Sequence, residues 1–330
     1  MTVLVTGGAG YIGSHMVWQL VDGNEDVVVL DNLSTGFRWA IAPEAKIVTG
    51  DIGDEALVER IIADEAVDAI VHFAGSIVVP ESVADPLKYY LNNTIKSRAL
   101  IAAAVKGGVR NFIFSSTAAV YGTPEAIPVA EDAPLRPLSP YGRSKLMTET
   151  MLADTAAAHD LRYVALRYFN VAGADPKGRT GQSTRGATHL IKVACETALG
   201  KRDAMTVNGT DYPTPDGTCI RDYIHVADLV AAHADALRHL RGGGANLVAN
   251  CGYGHGASVL EVIDAVKRVS GRDFEVVVGG RRPGDSSAIV ASPALIKSEF
   301  GWKPRYDDLD GIVASALAWE EALGRRNQRD

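Results

Sequence analysis

Cysteine is scarce: three residues, Cys195, Cys219 and Cys251, in a chain of 330. The count is odd and no two share CxxC spacing, which excludes a disulfide framework and a zinc knuckle and points to a reducing compartment, the cytoplasm. The eight histidines include no HExxH pair, so a metal site has no support in the sequence. No uncharged apolar run approaches the ~20 residues needed to cross a bilayer, so no membrane association is expected. The N-terminus, "MTVLVTGG", runs straight into a strand without the basic region and apolar core of a signal peptide. Positive charge is outnumbered, 33 Lys and Arg against 40 Asp and Glu, for a formal net charge of −7. That balance argues against nucleic acid as the main partner, and any anion site must therefore be local.

What is present is alternation. "VLV" (3–5), "VVVL" (27–30), "KIVT" (46–49), "AIVHF" (69–73), "NFIFS" (111–115) and "RYVALR" (162–167) read as strands. They are apolar on both faces, as in a parallel sheet covered by helices. Between them the pattern predicts helices over 11–22, 55–64, 86–106 and 140–159, with Gly23 and Gly107 placed to close the first and third. Such a rhythm predicts an α/β fold with a doubly wound, Rossmann-like parallel sheet. After Arg167 the rhythm changes: a loop-like stretch, a helix near 190–199, a turn-rich block, then helices at 226–240, 259–269 and 309–323 with a strand at 275–278. The last residues, "GRRNQRD", read as a frayed end. The chain is longer than one small core usually organises. We therefore expect a dinucleotide-binding domain over 1–168 and a smaller α/β substrate lobe over 169–330, with interleaving segments.

"TGGAGYIGSH" follows the first strand and opens the first helix. Gly8, Gly10 and Gly13 fit G-x-G-x-x-G, and Gly7, Gly10 and Gly13 fit G-x-x-G-x-x-G. Glycine there permits a tight turn, close approach of a pyrophosphate and close helix–strand packing. The helix N-terminus offers free N–H groups and the positive end of its dipole. Asp31 ends the second strand, where a carboxylate accepts from ribose hydroxyls and repels a 2′-phosphate, favouring NAD over NADP.

The stretch "SPYGRSK" places Tyr141 and Lys145 four residues apart at a helix start, on one face. Pro140 suits the first turn of that helix. The fifth strand runs into Ser115, Ser116 and Thr117, aimed at the crevice where ligands bind in open α/β sheets. Lys145 and an oxidised nicotinamide are both positive and favour a phenolate at Tyr141 over its ordinary pKa of ~10. The phenolate can then take a hydroxyl proton while hydride leaves the same carbon, with Thr117 bonding that oxygen.

These residues carry a resemblance. "TGGAGYIG", Asp31, "STAAVYG" and "YGRSK" resemble the extended short-chain dehydrogenase/reductase family. "HFAG", "DPLKYYLNN", "LRYFNVAGA", "DYPTPDGTCIRDYIHV" and "RRPGD", in that order and spacing, are similar to the UDP-glucose 4-epimerases along the whole chain. The resemblance implies a catalytic trio of Thr117, Tyr141 and Lys145. It implies NAD contacts from Gly7, Gly10, Tyr11, Ile12, Asp31, Asn32, Asp51, Ile52, Phe73, Ala74, Asn92, Tyr141, Lys145 and Phe169. For a UDP-hexose it implies Thr117, Tyr141, Asn170, His189, Leu190, Arg221, Arg282, Asp285 and Ile289. It also implies a homodimer paired through helices 86–106 and 140–159. The chain departs from some members at Thr117 (Ser there), Ile77 (Lys) and His189 (Asn).

In an acidic chain Arg221 and Arg282 are the natural diphosphate anchors, because a guanidinium fork matches phosphate oxygens. His225 and Asp228 read as residues that fix the following helix. A 4,6-dehydratase would need an acid and a base after Thr117, where Ala118 and Ala119 stand. A non-catalytic NAD sensor would not need the phenol–ammonium pair. The expectation is reversible hydride transfer at carbon 4 of a UDP-hexose, without net redox.

Overall fold

The computed structural model describes residues 1–282 and 285–326. The first half alternates β1 (Thr2–Thr6), α1 (Tyr11–Asp22), β2 (Asp26–Asp31), β3 (Lys46–Thr49), α2 (Glu55–Asp64) and β4 (Val67–His72). Then come α3 (Val79–Ala84), α4 (Pro86–Tyr89), a π-helical turn (Tyr90–Ile95) and α5 (Lys96–Lys106), followed by β5 (Asn111–Thr117), α6 (Pro140–Ala158) and β6 (Arg162–Tyr168). β5 is buried along its whole length, which is why it reads as an unbroken apolar run.

The second half holds β7 (Asn170–Ala172), α7 (Leu190–Ala198), β8 (Ala204–Asn208), β9 (Ile220–Arg221), β10 (Tyr223–His225) and α8 (Val226–Arg241). It continues with β11 (Leu247–Cys251), β12 (Ala257–Ser258), α9 (Val259–Ser270), β13 (Glu275–Gly279), β14 (Ala288–Ile289), α10 (Ala294–Phe300) and α11 (Leu309–Arg326). Part of the frayed end expected from the sequence, residues 327–330, lies outside the described residues.

Seven parallel strands form the main sheet in the order β11-β6-β5-β4-β1-β2-β3, the doubly wound arrangement expected. The order reverses between β1 and β4, so a crevice opens outside their carboxyl ends, where the glycine loop lies. One apolar cluster packs α1, α7, α8 and α9 on one face; another packs α2 and α5 on the other. The strand from the second half, β11, pairs with β6 in this sheet.

Two expectations needed correction. The helix expected over 86–106 is interrupted by the π-turn, and a separate helix, α3, precedes it. Asp85 starts the second piece, accepting from Lys88 N at 3.2 Å, with Pro86 in the first turn. The short strands β7, β9, β10, β12 and β14 went unread because two or three residues carry no periodicity; their partners are far away in the chain.

Candidate active site

The cradle is built from backbone. Gly7 sits at φ +71°, and a Cβ there would stand 2.6 Å from Ala74 N; a Cβ on Gly13 would stand 2.1 Å from Gly7 O. Neither position tolerates a side chain. The residue before α1, Gly10, brings no side-chain cap, so the first-turn N–H groups stay open for phosphate. Asp31 closes the loop from below: its Oδ2 accepts from Ala9 N at 2.9 Å and its Oδ1 from Leu33 N at 2.8 Å. A narrow cavity of about 190 Å³ lies on the cradle, lined by Gly10, Tyr11 and Ser14 and by Gly181, Ser183 and Thr184 from a crossing loop. That loop is pinned through Ser14 Oγ and Thr180 Oγ1, 2.8 Å apart. A glycine cradle, a helix N-terminus and a buried carboxylate at the end of β2 suit a dinucleotide.

Other expected cofactor residues gather at the same edge. The Tyr11 side chain is committed elsewhere, its hydroxyl donating to Gly173 O at 2.6 Å, and Ile12 packs on the core beside it. Asn32 Oδ1 accepts from Ser34 N at 3.0 Å. Asp51 is bound by Lys96 Nζ at 2.6 Å and Gly53 N at 2.8 Å, with Ile52 buried next to it. Phe73 lies 4.9 Å from the His233 ring, centroid to centroid.

Asn92 and Asn93, consecutive in the π-turn, both reach Ser76. Asn92 Nδ2 donates to Ser76 Oγ at 3.0 Å; Asn93 accepts from Ser76 N at 2.7 Å and donates to Ser76 O at 2.9 Å. The two side chains take different atoms of Ser76, its hydroxyl for Asn92 and its backbone N–H and carbonyl for Asn93. Asn93 also donates to Ser144 Oγ at 3.0 Å, tying this loop to α6 beside Lys145. Sequence reading missed Asn93, although the doubled asparagine in "LNN" was the available signal.

α6 begins as the sequence implied. Ser139 Oγ accepts from Gly142 N at 3.2 Å, and Pro140 occupies the first turn. Tyr141 and Lys145 are both buried on the face toward β5. The Thr117 hydroxyl accepts from Ala119 N at 3.1 Å and stands close enough to the Tyr141 phenol to lower its pKa. Lys145 Nζ donates to Ser115 O at 3.1 Å and sits 4.9 Å above the Phe114 ring. Burial pushes the Lys145 ammonium down to about 8, opposed by the charge of Glu149. Burial raises the Tyr141 phenol, and the Thr117 hydroxyl opposes it. The expectation that Lys145 depresses the phenol is therefore not met by the folded chain itself: the ammonium points at a carbonyl, and loss of water dominates the phenol.

At the other end, β14 pairs with β9 so that Ile289 lies opposite Arg221. Arg221 Nη2 is 3.9 Å from Asp285 Oδ1. With the Asn208 amide turned so that its oxygen faces Arg282, it accepts from Nη2 at 2.7 Å and Nε at 3.1 Å. Strand β9 and the connection from β13 to β14 thus bring Arg221, Arg282 and Asp285 to one corner, with Asn208 at the end of β8 against Arg282; residues 283 and 284 of the "RRPGD" motif lie outside the described residues. Ile289 packs with Ala118 and Phe169, which connects this corner to the Thr117 loop. An open cleft of about 490 Å³ is lined by Asn170, His189, Leu190, Tyr11, Tyr223 and Trp319. His189 Nδ1 lies 3.3 Å from Gln182 Nε2, and burial lowers its pKa.

His225 caps α8, its Nδ1 accepting from Ala227 N at 3.0 Å. Asp228 accepts from Tyr253 OH at 2.7 Å and from Tyr306 N at 2.9 Å.

Residues 3–252 match the NAD dependent epimerase/dehydratase family model, three quarters of the chain. The chain belongs to this family. Its relatives sharpen the placement within the epimerase/dehydratases. The chain is 58% identical over 321 residues to a UDP-glucose 4-epimerase from Azospirillum brasilense, covering 97% of this chain and 92% of that protein. It superposes with a TM-score of 0.93 on a UDP-glucose 4-epimerase from Brucella ovis in complex with NAD, at 46% identity and covering 96% and 97% of the two chains. A TM-score of 0.93 relates it also to the Bifidobacterium longum enzyme in complex with NAD+ and UDP, at 40% identity and 98% coverage of each chain. Among the described residues no helix is long and apolar enough to cross a membrane.

Proposed function

We propose that this chain is an NAD-dependent UDP-glucose 4-epimerase, an isomerase interconverting UDP-glucose and UDP-galactose through a 4-keto sugar. Full-length similarity to UDP-glucose 4-epimerases carries the reading, and the buried Thr117, Tyr141 and Lys145 beside a glycine cradle support it. The glycine cradle and Asp31 would hold NAD, which would supply a reversible hydride acceptor for carbon 4, so that no net redox would result. Tyr141 takes the proton of the 4-hydroxyl and gives it back on the return step. Thr117 hydrogen-bonds the reacting oxygen. Lys145 supplies the charge that, together with the positive nicotinamide, offsets the burial that raises the phenol. Arg221 and Arg282 hold the diphosphate as charge-assisted forks while the hexose turns over, and Asn170, His189 and Leu190 line its space.

Ile289 sets the breadth of substrates. Smaller than Tyr, without a hydroxyl and stiff at its first torsion, it opens limited room beside the hexose. The parent chain should therefore turn over the N-acetylated UDP-hexose pair weakly. Leu87, Leu91 and Ile95 recur every four residues and are exposed, and Met147 on α6 is exposed near Thr94; this unpartnered stripe supports a homodimer through these helices.

The decisive experiment is a coupled assay of purified protein with UDP-galactose and no added NAD. Formation of UDP-glucose is expected, because returned hydride leaves no reason to release the cofactor. Protein that turns over neither UDP-galactose nor UDP-glucose, with or without NAD, refutes the proposal.

A further inference from the structure

Behind the catalytic trio lies a buried polar network that the proposed mechanism does not use. Glu149 stands one turn after Lys145 on α6, so Tyr141, Lys145 and Glu149 share one face at four-residue spacing. Glu149, Arg167 and Ser116 are 5%, 4% and 0% exposed. Arg167 on β6 grips the carboxylate with both arms of its fork, Nε to Oε1 at 3.1 Å and Nη2 to Oε2 at 2.6 Å. Ser116 Oγ, next to Thr117 on β5, donates to Glu149 Oε1. The remaining arm of Arg167 donates to Tyr121 OH at 3.0 Å, which donates onward to Asn250 Oδ1 at 2.7 Å.

Removing one partner of such a pair leaves a charge buried without compensation, and an apolar packing of the same volume is often no less stable. Stability alone therefore does not account for its place here. Lys145 has a neutral carbonyl and an aromatic face as its neighbours, and among the described residues no carboxylate is hydrogen-bonded or ion-paired to it.

We infer, on the basis of the 4-epimerase reading, that Glu149 is a positioning residue: through Ser116 it holds the Tyr141–Lys145 face of α6 against the end of β5, with its carboxylate one helical turn beyond Lys145. The titratable groups facing Tyr141, Lys145 and Glu149 come from four elements; α4 supplies Tyr89, whose ring stands edge-on to Tyr141 at 6.5 Å between centroids and whose phenol burial raises. α6 supplies Tyr141 and Glu149 themselves; β4 supplies His72, held neutral by burial with both ring nitrogens bonded, at 2.7 Å to Thr6 and 2.9 Å to Ser97. β6 supplies Arg167, Tyr163 and Tyr168, whose phenols burial raises. Glu149 is thus the sole carboxylate among them, and Arg167 works against it. The direction follows: Glu149 raises the Lys145 pKa, so that the ammonium survives to higher pH.

The test compares kcat/KM against pH for NAD-loaded wild type, Glu149→Gln, Glu149→Asp and the double variant Glu149→Gln/Arg167→Gln. Glu149→Gln should move the alkaline limb down by about one pH unit, a ~10-fold loss on that limb, with KM for the UDP-sugar unchanged. Glu149→Asp should return the limb toward wild type. The double variant, which buries no lone cation, should lie between, and it decides the matter if the single variant does not fold. Ultraviolet difference titration of the Tyr141 phenolate, with Tyr141→Phe as the blank, should shift upward in Glu149→Gln. Rates that fall equally at every pH, or an unmoved limb in the double variant, overturn the inference while wild-type activity leaves the 4-epimerase reading standing. A wild type inactive on UDP-galactose overturns both.

Discussion

The two ends of the site are built on different principles. At the dinucleotide end the chain presents backbone: open amides at the start of α1, glycines that admit no Cβ, and one carboxylate accepting from Ala9 N of the glycine loop and from Leu33 N of its own turn. At the proposed UDP end it presents side chains, Arg221, Arg282 and Asp285, gathered by the pairing of β9 with β14 and by the connection from β13 to β14. A backbone site fails abruptly, since one methyl group closes it. A side-chain site weakens gradually, since each guanidinium contributes separately. Between them lies the trio on α6 and β5, where chemistry depends on the charge of buried groups.

The largest expected effect is at the backbone end. Gly13→Ala drives a Cβ to 2.1 Å from Gly7 O, so the purified variant should release no NAD on denaturation and show no turnover. Asp31→Ala should retain part of the cofactor; equal binding of NADP and NAD by wild type would break the ribose argument. Next comes the trio. Tyr141→Phe keeps the ring and removes the base, and turnover should fall by at least the ~100-fold typical of losing a general base, with UDP-sugar binding retained. At the side-chain end, Arg221→Ala loses a charge-assisted hydrogen bond, of order 1.5–3 kcal/mol, and KM should rise by roughly 10–100-fold with a smaller change in kcat. An Arg221→Ala effect on kcat alone would mean that the arginine does not anchor the diphosphate.

Acid should separate the ends further. Burial holds His15, His225 and His233 at about 4 and His72 at about 3, and all four lie around the cradle or in α8 and its cap. In the unfolded chain they take protons near 6.5. Stability that is full above that value should therefore fall as pH drops through it and keep falling toward about 4, at up to ~1.4 kcal/mol per pH unit for each histidine. Tm measured against pH should show the slope, and His233→Asn should flatten it. The smallest effect is expected at Ile289. Ile289→Tyr should abolish turnover of N-acetylated UDP-hexoses and Ile289→Ser should raise it, with little change for UDP-galactose; equal parent rates on both pairs would remove this residue as the gate.

The glycine loop, Asp31, the strand–helix alternation and the Tyr141–Lys145 spacing were legible because each is a local pattern: a turn, a strand end, one face of one helix. Helices 11–22 and 55–64 match α1 and α2 residue for residue for the same reason. Where the chain order stopped being the spatial order, reading along it failed. Nothing local marks β11 as the seventh strand of the main sheet or Glu149 as the partner of Arg167, and the doubled asparagine at 92–93 does not say that Asn93 ties the 75–76 loop to α6.

The phenol shows the division most clearly. The sequence alone determined that a tyrosine, a lysine and a threonine meet at the mouth of a dinucleotide fold, because helical spacing and strand ends dictate direction. Only the tertiary structure decided their electrostatics, because desolvation depends on everything packed around them: Tyr141 is raised by burial, Lys145 lowered toward 8, and Ser115 O, not the phenol, receives the ammonium's hydrogen bond.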